Sequence, residues 1–244
     1  MKRGQWNRSV MITLTLLLGA LWLPGRAEAA GRVNAIVVYV SGDVQVKRSG
    51  GSAFEPLALN DMLYFGDEIK TGPSSRASLA TKGGAEVRLN ENSTFNTDAR
   101  AGANGMLRLK VGQLWTRMLH KMARLDVRTP SAVCAVRGTE ADIEQRSLLT
   151  VKVYEGHVDV QNSLGRQSLA AGQMSTVSGA GAAPAAARKM GASDVGNWQE
   201  GITSKDMQKF LDKLGSEAGG EKRLKLKIDK DGKTKDVEIK LKKK

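Results

Sequence analysis

The chain of 244 residues contains one cysteine, Cys134, and two histidines, His120 and His157. A lone cysteine excludes an intramolecular disulfide, so the core must stand on apolar burial alone even in a compartment that would permit a bridge. The two histidines stand apart, with no cysteine or carboxylate at a metal-ligand spacing beside either, which argues against a catalytic metal site. Aromatic residues make up only 5%. The apolar content comes mostly from Val, Leu, Ile and Ala, which suits many short strands better than an aromatic-lined ligand cavity. The apolar run from Val10 to Leu23 covers 14 positions and includes Thr13 and Thr15. A helix that crosses a bilayer needs about 20.

What stands around that run has the three-part layout of a secretory signal peptide: Lys2, Arg3 and Arg8 before it, and Ala27-Glu28-Ala29-Ala30 after it. The small residues at Ala27 and Ala29 predict cleavage after Ala29, with Ala30 second. No cysteine follows the run, which argues against a lipoprotein. Residues 1–29 are thus read as a signal peptide, leaving 215 residues with no transmembrane helix in the mature chain and a periplasmic or otherwise extracytoplasmic location.

The formal net charge of +13 is uneven. The first 29 residues hold four basic residues and one acidic, while Glu221 to Lys244 holds eleven Lys or Arg against five Asp or Glu. Residues 30–220 therefore resemble an ordinary soluble surface. Nucleic acid is excluded as the expected partner of an exported protein, and a concentrated cationic end is suited to anionic envelope polymers, lipid headgroups or an acidic protein face.

Between Ala35 and Val177 apolar residues alternate with polar ones, as in strands with one buried face. Val44 and Val46, Val87 and Leu89, Leu107 with Leu109 and Val111, Leu125 and Val127, Leu149 with Val151 and Val153, and Val158 and Val160 each lie two apart. Gly83-Gly84 between two such runs predicts a hairpin over residues 77–89. Gln113 to Arg124 is ambiguous, a short helix or a twisted strand with a basic loop. Gly42, Gly112, Gly156 and Gly172 each open a strand-like run, a weak repeat in which glycine lets the backbone turn a corner before the next strand.

Several ordered motifs are present. Gly42-Asp43-Val44-Gln45-Val46 is followed by Gly66-Asp67-Glu68-Ile69-Lys70-Thr71-Gly72 and Ser75-Arg76-Ala77-Ser78-Leu79. Then come Val127-Arg128-Thr129-Pro130, Val136-Arg137-Gly138-Thr139-Glu140, Val153-Tyr154-Glu155-Gly156 and Leu169-Ala170-Ala171-Gly172-Gln173. In this order, over roughly residues 40–178, the chain resembles the FecR domain family. The resemblance implies a compact extracytoplasmic β fold that takes part in signal relay or envelope interactions, without assigned catalytic residues. The best-known members also carry a cytoplasmic sigma-factor-controlling segment and a membrane helix. Nine residues precede the apolar run here, too few to fold as such a segment, so that role is not carried over.

The signature residues Gly66, Asp67, Thr129, Pro130, Arg137, Gly138, Thr139, Glu140, Gly156 and Gly172 are read as structural or interfacial. Pro130 cannot donate to a ladder, so Thr129-Pro130 marks the opening of a strand or a sheet edge. Gly138 allows a corner between Val136 and a strand through Ala141 and Ile143. Arg137 either pairs with a carboxylate of its own domain or, with Glu140, meets a partner; the internal pairing is favoured. No catalytic, metal or cofactor residues are assigned. Cys134 sits among Val133, Ala135 and Val136 as a small buried hydrophobe, and Asp67 and Glu68, being adjacent in a strand, face opposite sides.

The expected fold is all-β: a FecR-type compact roll or sandwich of many short strands over residues 30–178, a linker over 179–203, a short helix over 204–220 and a basic β-hairpin over 221–244. The linker is drawn from the Gly, Ala and Pro content of residues 178–192. Ser204 would cap a helix whose Met207, Phe210, Leu211 and Leu214 share one face, docked on the β domain. In the hairpin, Asp231-Gly232 forms the turn, and Lys225, Lys227, Lys240 and Lys242 are candidate contacts to an anionic surface. The expected function is a non-catalytic, extracytoplasmic binding module of envelope signalling or assembly with an envelope protein partner and no cofactor. The alternative is a structural factor that binds peptidoglycan or another anionic envelope polymer.

Overall fold

A computed structural model describes residues 33–97, 106–119, 123–200, 207–219, 221–230 and 233–242. The predicted signal peptide, His120 and the Asp231-Gly232 turn lie outside the described residues. The strands, in chain order, begin with β1 (Val33–Ser41), β2 (Val44–Lys47), β3 (Glu55–Pro56), β4 (Met62–Tyr64) and β5 (Glu68–Thr71). Next are β6 (Arg76–Thr81), β7 (Ala85–Leu89), β8 (Thr94–Thr97), β9 (Met106–Met118) and β10 (Arg124–Arg128). The series continues with β11 (Val133–Gln145), β12 (Leu149–Asn162), β13 (Gly165–Ala170), β14 (Gln173–Val177) and β15 (Arg188–Lys189). Helix α1 (Met207–Gly219) and the hairpin strands β16 (Glu221–Lys230) and β17 (Lys233–Lys242) close the described chain.

The sheet is built from three long strands that each serve twice. The first part of β9 lies between β8 and β10, and the second between β7 and β11. β11 pairs with β10 through Arg124↔Arg137 to Arg128↔Val133, then with β9 through Glu140↔Arg117 to Gln145↔Gly112. β12 holds β14 along Leu149–Lys152 and β13 along His157–Asn162. One half-sheet therefore runs β4-β1-β6-β7-β9-β11-β12-β14-β15, and the other β3-β2-β5-β8-β9-β10-β11-β12-β13.

The change from one half-sheet to the other falls at glycine. Gly42, Gly112, Gly138, Gly156 and Gly172 all have positive φ, between +59° and +109°. At Gly112 the requirement is double: φ is +109°, and a Cβ there would run into Ser93. A left-handed backbone is costly for any residue with a Cβ, so glycine is what the corner admits. β11 carries register shifts on both sides of Glu140, beside Gly138, as expected where a strand bends through a bulge.

The alternating aliphatics of both half-sheets face one core that includes Val46, Ile69, Val87, Phe95, Leu114, Val136, Ile143, Val151 and Val160. Cys134 is wholly buried in it, and burial pushes its thiol up to about 12, so it is an inert apolar filler. The hairpin β6–β7 pairs Ala77↔Leu89 through Ala80↔Glu86 around Gly83-Gly84. The ambiguous stretch after Gln113 continues as strand to Met118.

On the outer face, α1 packs Leu214, with Met207, Phe210 and Leu211, against Ile36 and Val38 of β1 and Ala80 of β6. The helix runs to Gly219, and Ser204, expected to cap it, lies outside the described residues. The hairpin β16–β17 forms its own two-stranded sheet, with Leu224↔Ile239 and Leu226↔Val237 in register.

The segment read as a linker behaves differently over its described part, residues 179–200. The Ala185 amide donates to the Thr176 carbonyl at 2.9 Å, Arg188–Lys189 pairs with β14, and Arg188 is bidentate to Asp194 at 2.7 and 2.9 Å. Farther on, Trp198 and Gln199 bond to β11 and β7. A composition poor in core-forming residues is what suggested a free tether; a few polar anchors are enough to lay it along the domain.

Candidate functional site

The structure brings the family-signature residues to corners and turns rather than to one cleft. Asp67 is buried and fully engaged: Oδ1 accepts from the Ser49 amide at 3.0 Å, and Oδ2 from Arg48 at 3.0 Å and the Tyr64 amide at 2.9 Å. Arg48 continues to Glu55 and to the Met62 carbonyl, both at 2.9 Å, so one carboxylate ties two loops together beside Gly66. Its neighbour Glu68 points the other way. Burial pushes the Glu68 carboxyl up, but Lys110 at 3.1 Å and Lys47 at 3.2 Å outweigh this and hold it below its usual range.

Thr129 closes the turn between β10 and β11. Its Oγ1 accepts from the Ser131 and Ala132 amides at 3.2 and 3.1 Å and donates to the Ala132 carbonyl at 3.0 Å, with Pro130 at the turn's next position. Gly138, Thr139 and Glu140 lie along the bend of β11, and Glu140 accepts a hydrogen bond from Trp115 Nε1 at 3.1 Å. Arg137 is exposed on the same strand, and its charge acts on Asp126 of β10, a carboxyl raised by burial and drawn down by Arg137 and Arg128. Gly156 and Gly172 are corners of β12 and of the β13–β14 connection. In the hairpin, Lys225 stands opposite Glu238 and Lys227 opposite Asp236, whereas Lys240 and Lys242 stand opposite Arg223 and Glu221.

His157 does not stand alone, contrary to the sequence reading. Its Nε2 lies 3.0 Å from Asp159 Oδ1, and Ser168 and Arg166 also donate to Asp159, Arg166 at 2.7 Å. Burial pushes the Asp159 carboxyl up, but these three donors outweigh it and hold it down at about 2. The serine donates to the aspartate and not to the histidine, so the order of a catalytic relay is absent from this trio. The pair sits at positions i and i+2 of one strand and thus on one face, the signal that the sequence carried.

A second cluster was missed entirely. On the outer face of the first half-sheet, cross-strand register places Ser78, Arg88, Trp115, Asp142 and Lys152 in one row across β6, β7, β9, β11 and β12. Glu86 is fully buried, accepting from Arg88 Nε at 2.8 Å, Ser78 at 3.1 Å and Arg117 at 2.7 Å. The Arg88 guanidinium lies 4.3 Å from the centre of the Trp115 ring and also donates to the Gln199 carbonyl at 2.5 Å. Asp142 accepts from Trp198 Nε1 at 2.9 Å and from Gln113 at 2.9 and 3.0 Å. Burial outweighs those donors and pushes its carboxyl up to about 6.

A separate open groove of about 390 Å³ is lined by Asp43, Gln45, Lys70, Asn92 and Thr94. Among the described residues no group of three or more His, Cys, Asp or Glu is placed to hold a metal, and no helix is long and apolar enough to cross a membrane.

Two crystal structures, each described as a putative anti-sigma factor from Parabacteroides distasonis ATCC 8503, are similar to this chain. One is 17% identical with a TM-score of 0.47, covering 55% of this chain and 65% of that one, less than two thirds of its length. The other is 13% identical with a TM-score of 0.47, covering 72% of this chain and 99% of that one. A structure described as a cell surface anchoring domain is 26% identical over 26% of this chain and 83% of its own, with a TM-score of 0.25. Comparison with curated proteins finds no match. The sequence profile described as FecR protein matches residues 67–159, from the Asp67 tie to Asp159 and across the whole bend of β9, β11 and β12. Over residues 67–159 this chain is thus similar to the FecR family.

Proposed function

We propose that this protein is a non-catalytic, extracytoplasmic binding module that takes part in envelope signalling or assembly through protein contacts. The observation that carries this reading is how the buried ionisable groups are used. Glu86 and Asp67 have both carboxylate oxygens filled by internal donors, and Cys134 is held as a neutral thiol. Groups committed in this way stabilise a scaffold and are withdrawn from chemistry on a substrate. The FecR family is a regulatory, non-enzymatic kind of protein, in keeping with that use. Binding then falls to the outside, where β13 and β4 end the half-sheets as edge strands able to accept another strand.

Photocrosslinking in intact cells from positions on β13, followed by identification of what is captured, tests the reading. It predicts one exported or envelope protein as the main adduct; crosslinks to glycan alone would overturn it.

The charge of the last segment favours the second reading, an anionic envelope polymer as the ligand. Eleven basic residues against five acidic ones in residues 221–244 leave a net cationic end even with Lys225, Lys227 and Lys242 opposite acids. Deleting residues 221–244 should then weaken cosedimentation with purified cell wall at low salt and leave it unchanged at high salt. Equal sedimentation of both proteins at low and high salt would remove this reading.

A further inference from the structure

Strand β7 is buried at all five positions, Ala85 to Leu89, although its sequence alternates. One face is covered by the common core. Against the other lie residues 196–199, which come from more than a hundred positions downstream and bond to β7, β11 and β12 without pairing as a strand. Three contacts hold them: the Gln199 carbonyl on Arg88, the Trp198 indole N–H on Asp142, and the Gly196 amide on the Tyr154 hydroxyl at 3.4 Å.

Two of these contacts use backbone groups that any extended peptide owns, and the third selects an indole. That is the division of labour of a peptide site, where main-chain bonds supply general affinity and one side chain supplies identity. Two of the receiving groups, Arg88 and Asp142, are ionisable and buried, an arrangement that apolar residues of similar volume would match or better for stability alone. The cis segment also fits imperfectly, since the Gln199 Oε1 atom is buried without a hydrogen-bond partner. Val195 and Glu200 on either side of it are exposed.

We propose that the channel formed by Arg88 on β7, Trp115 on β9 and Asp142 on β11 is a recognition site for an extended peptide carrying a tryptophan, and that Gly196–Gln199 occupies it in cis. A partner presenting an indole N–H and a backbone carbonyl at the same spacing displaces the segment. This rests on the protein-binding reading and names the chemistry of the partner.

The test uses the full chain and a fluorescein-labelled peptide of residues 192–200. Trp198→Ala empties the channel and should bind the peptide at least tenfold more tightly than the wild-type chain, whose own segment competes at an effective concentration of the order of millimolar. The same peptide with alanine in place of its tryptophan should not bind. Equal binding to both chains, or binding to neither, overturns the inference. So does a Trp198→Ala chain that loses cooperative unfolding, because the segment would then be part of the core; Trp198→Phe, which keeps the ring and loses the donor, should unfold cooperatively and bind the peptide at an intermediate level. If cellular crosslinks to a protein partner persist unchanged in Trp198→Ala and in Asp142→Asn, the channel is not the docking site while the binding-module reading survives.

Discussion

Asp142 and Asp159 sit on neighbouring strands and both project from outer faces of the same sheet, yet their surroundings drive them in opposite directions. Asp142 lies under residues 196–199 and receives neutral donors, an indole and a carboxamide; burial prevails and its carboxyl rises to about 6. Asp159 lies at the β12–β13 edge, and Ser168, the Arg166 guanidinium and His157 together prevail over burial, holding it at about 2. A carboxylate's acidity is therefore decided by the depth of its cover together with the number and kind of donors that replace water. The covered face is a place where charge is expensive, and the edge is a place where charge is comfortable.

The sharpest way to break this contrast is at Glu86 and Arg88. Arg88→Leu leaves a fully buried carboxylate with one partly exposed cation, and should cost about 3 to 5 kcal/mol in denaturant unfolding. Adding Glu86→Leu should restore much of that loss; a harmless single substitution would mean that the covered face tolerates charge as the edge does.

Next in size is a pH effect. Asp142 has a folded value of about 6 against an ordinary 3.8, so the folded state binds more protons than the unfolded one between these values. Its contribution is fully present below pH 3.8 and is lost as the pH rises through about 6, up to about 3 kcal/mol. Asp159 has the opposite sign: its contribution is present above pH 3.8 and disappears as the pH falls through about 2. Urea unfolding of wild type and Asp142→Asn at a series of pH values from 4 to 7 should show a slope in the first that is absent in the second.

Ser168→Ala removes one donor from Asp159 and should raise its pKa, measured by carboxyl NMR titration, at a stability cost of about 1 kcal/mol. The smallest effect is expected at Arg137→Ala. This side chain is exposed, and an exposed ion pair contributes about 0 to 1 kcal/mol, so the melting temperature should shift by only a few degrees. A large drop would support the internal pairing favoured for it from the sequence.

Much of the scaffold is legible in the sequence alone. Period-two aliphatics mark the core face of β2, β7, β9, β10 and β12, and Gly42, Gly112, Gly156 and Gly172 mark where strands turn, because both signals are local. The helix face of Met207, Phe210, Leu211 and Leu214 was legible for the same reason. The row from Arg88 to Asp142 was not. Glu86 and Arg88 alternate with Val87 and Leu89 as solvent-facing residues would, whereas Glu86 is enclosed by Ser78, Arg88 and Arg117 from three strands and Arg88 meets a carbonyl 111 positions away. Trp198 in turn lies in the 179–203 linker, beyond the Gly, Ala and Pro of residues 178–192 from which that linker is drawn. Long-range coverage leaves no trace in the window that periodicity reads.

The doubling of β9, β11 and β12 has a geometric corollary. Since each of these strands belongs to both half-sheets, β12 carries at one end the ladder to β13 and, a few residues back along the same strand, the Tyr154 hydroxyl that meets the Gly196 amide. No break in the backbone and no sliding interface separates the two, so they are parts of one continuous strand.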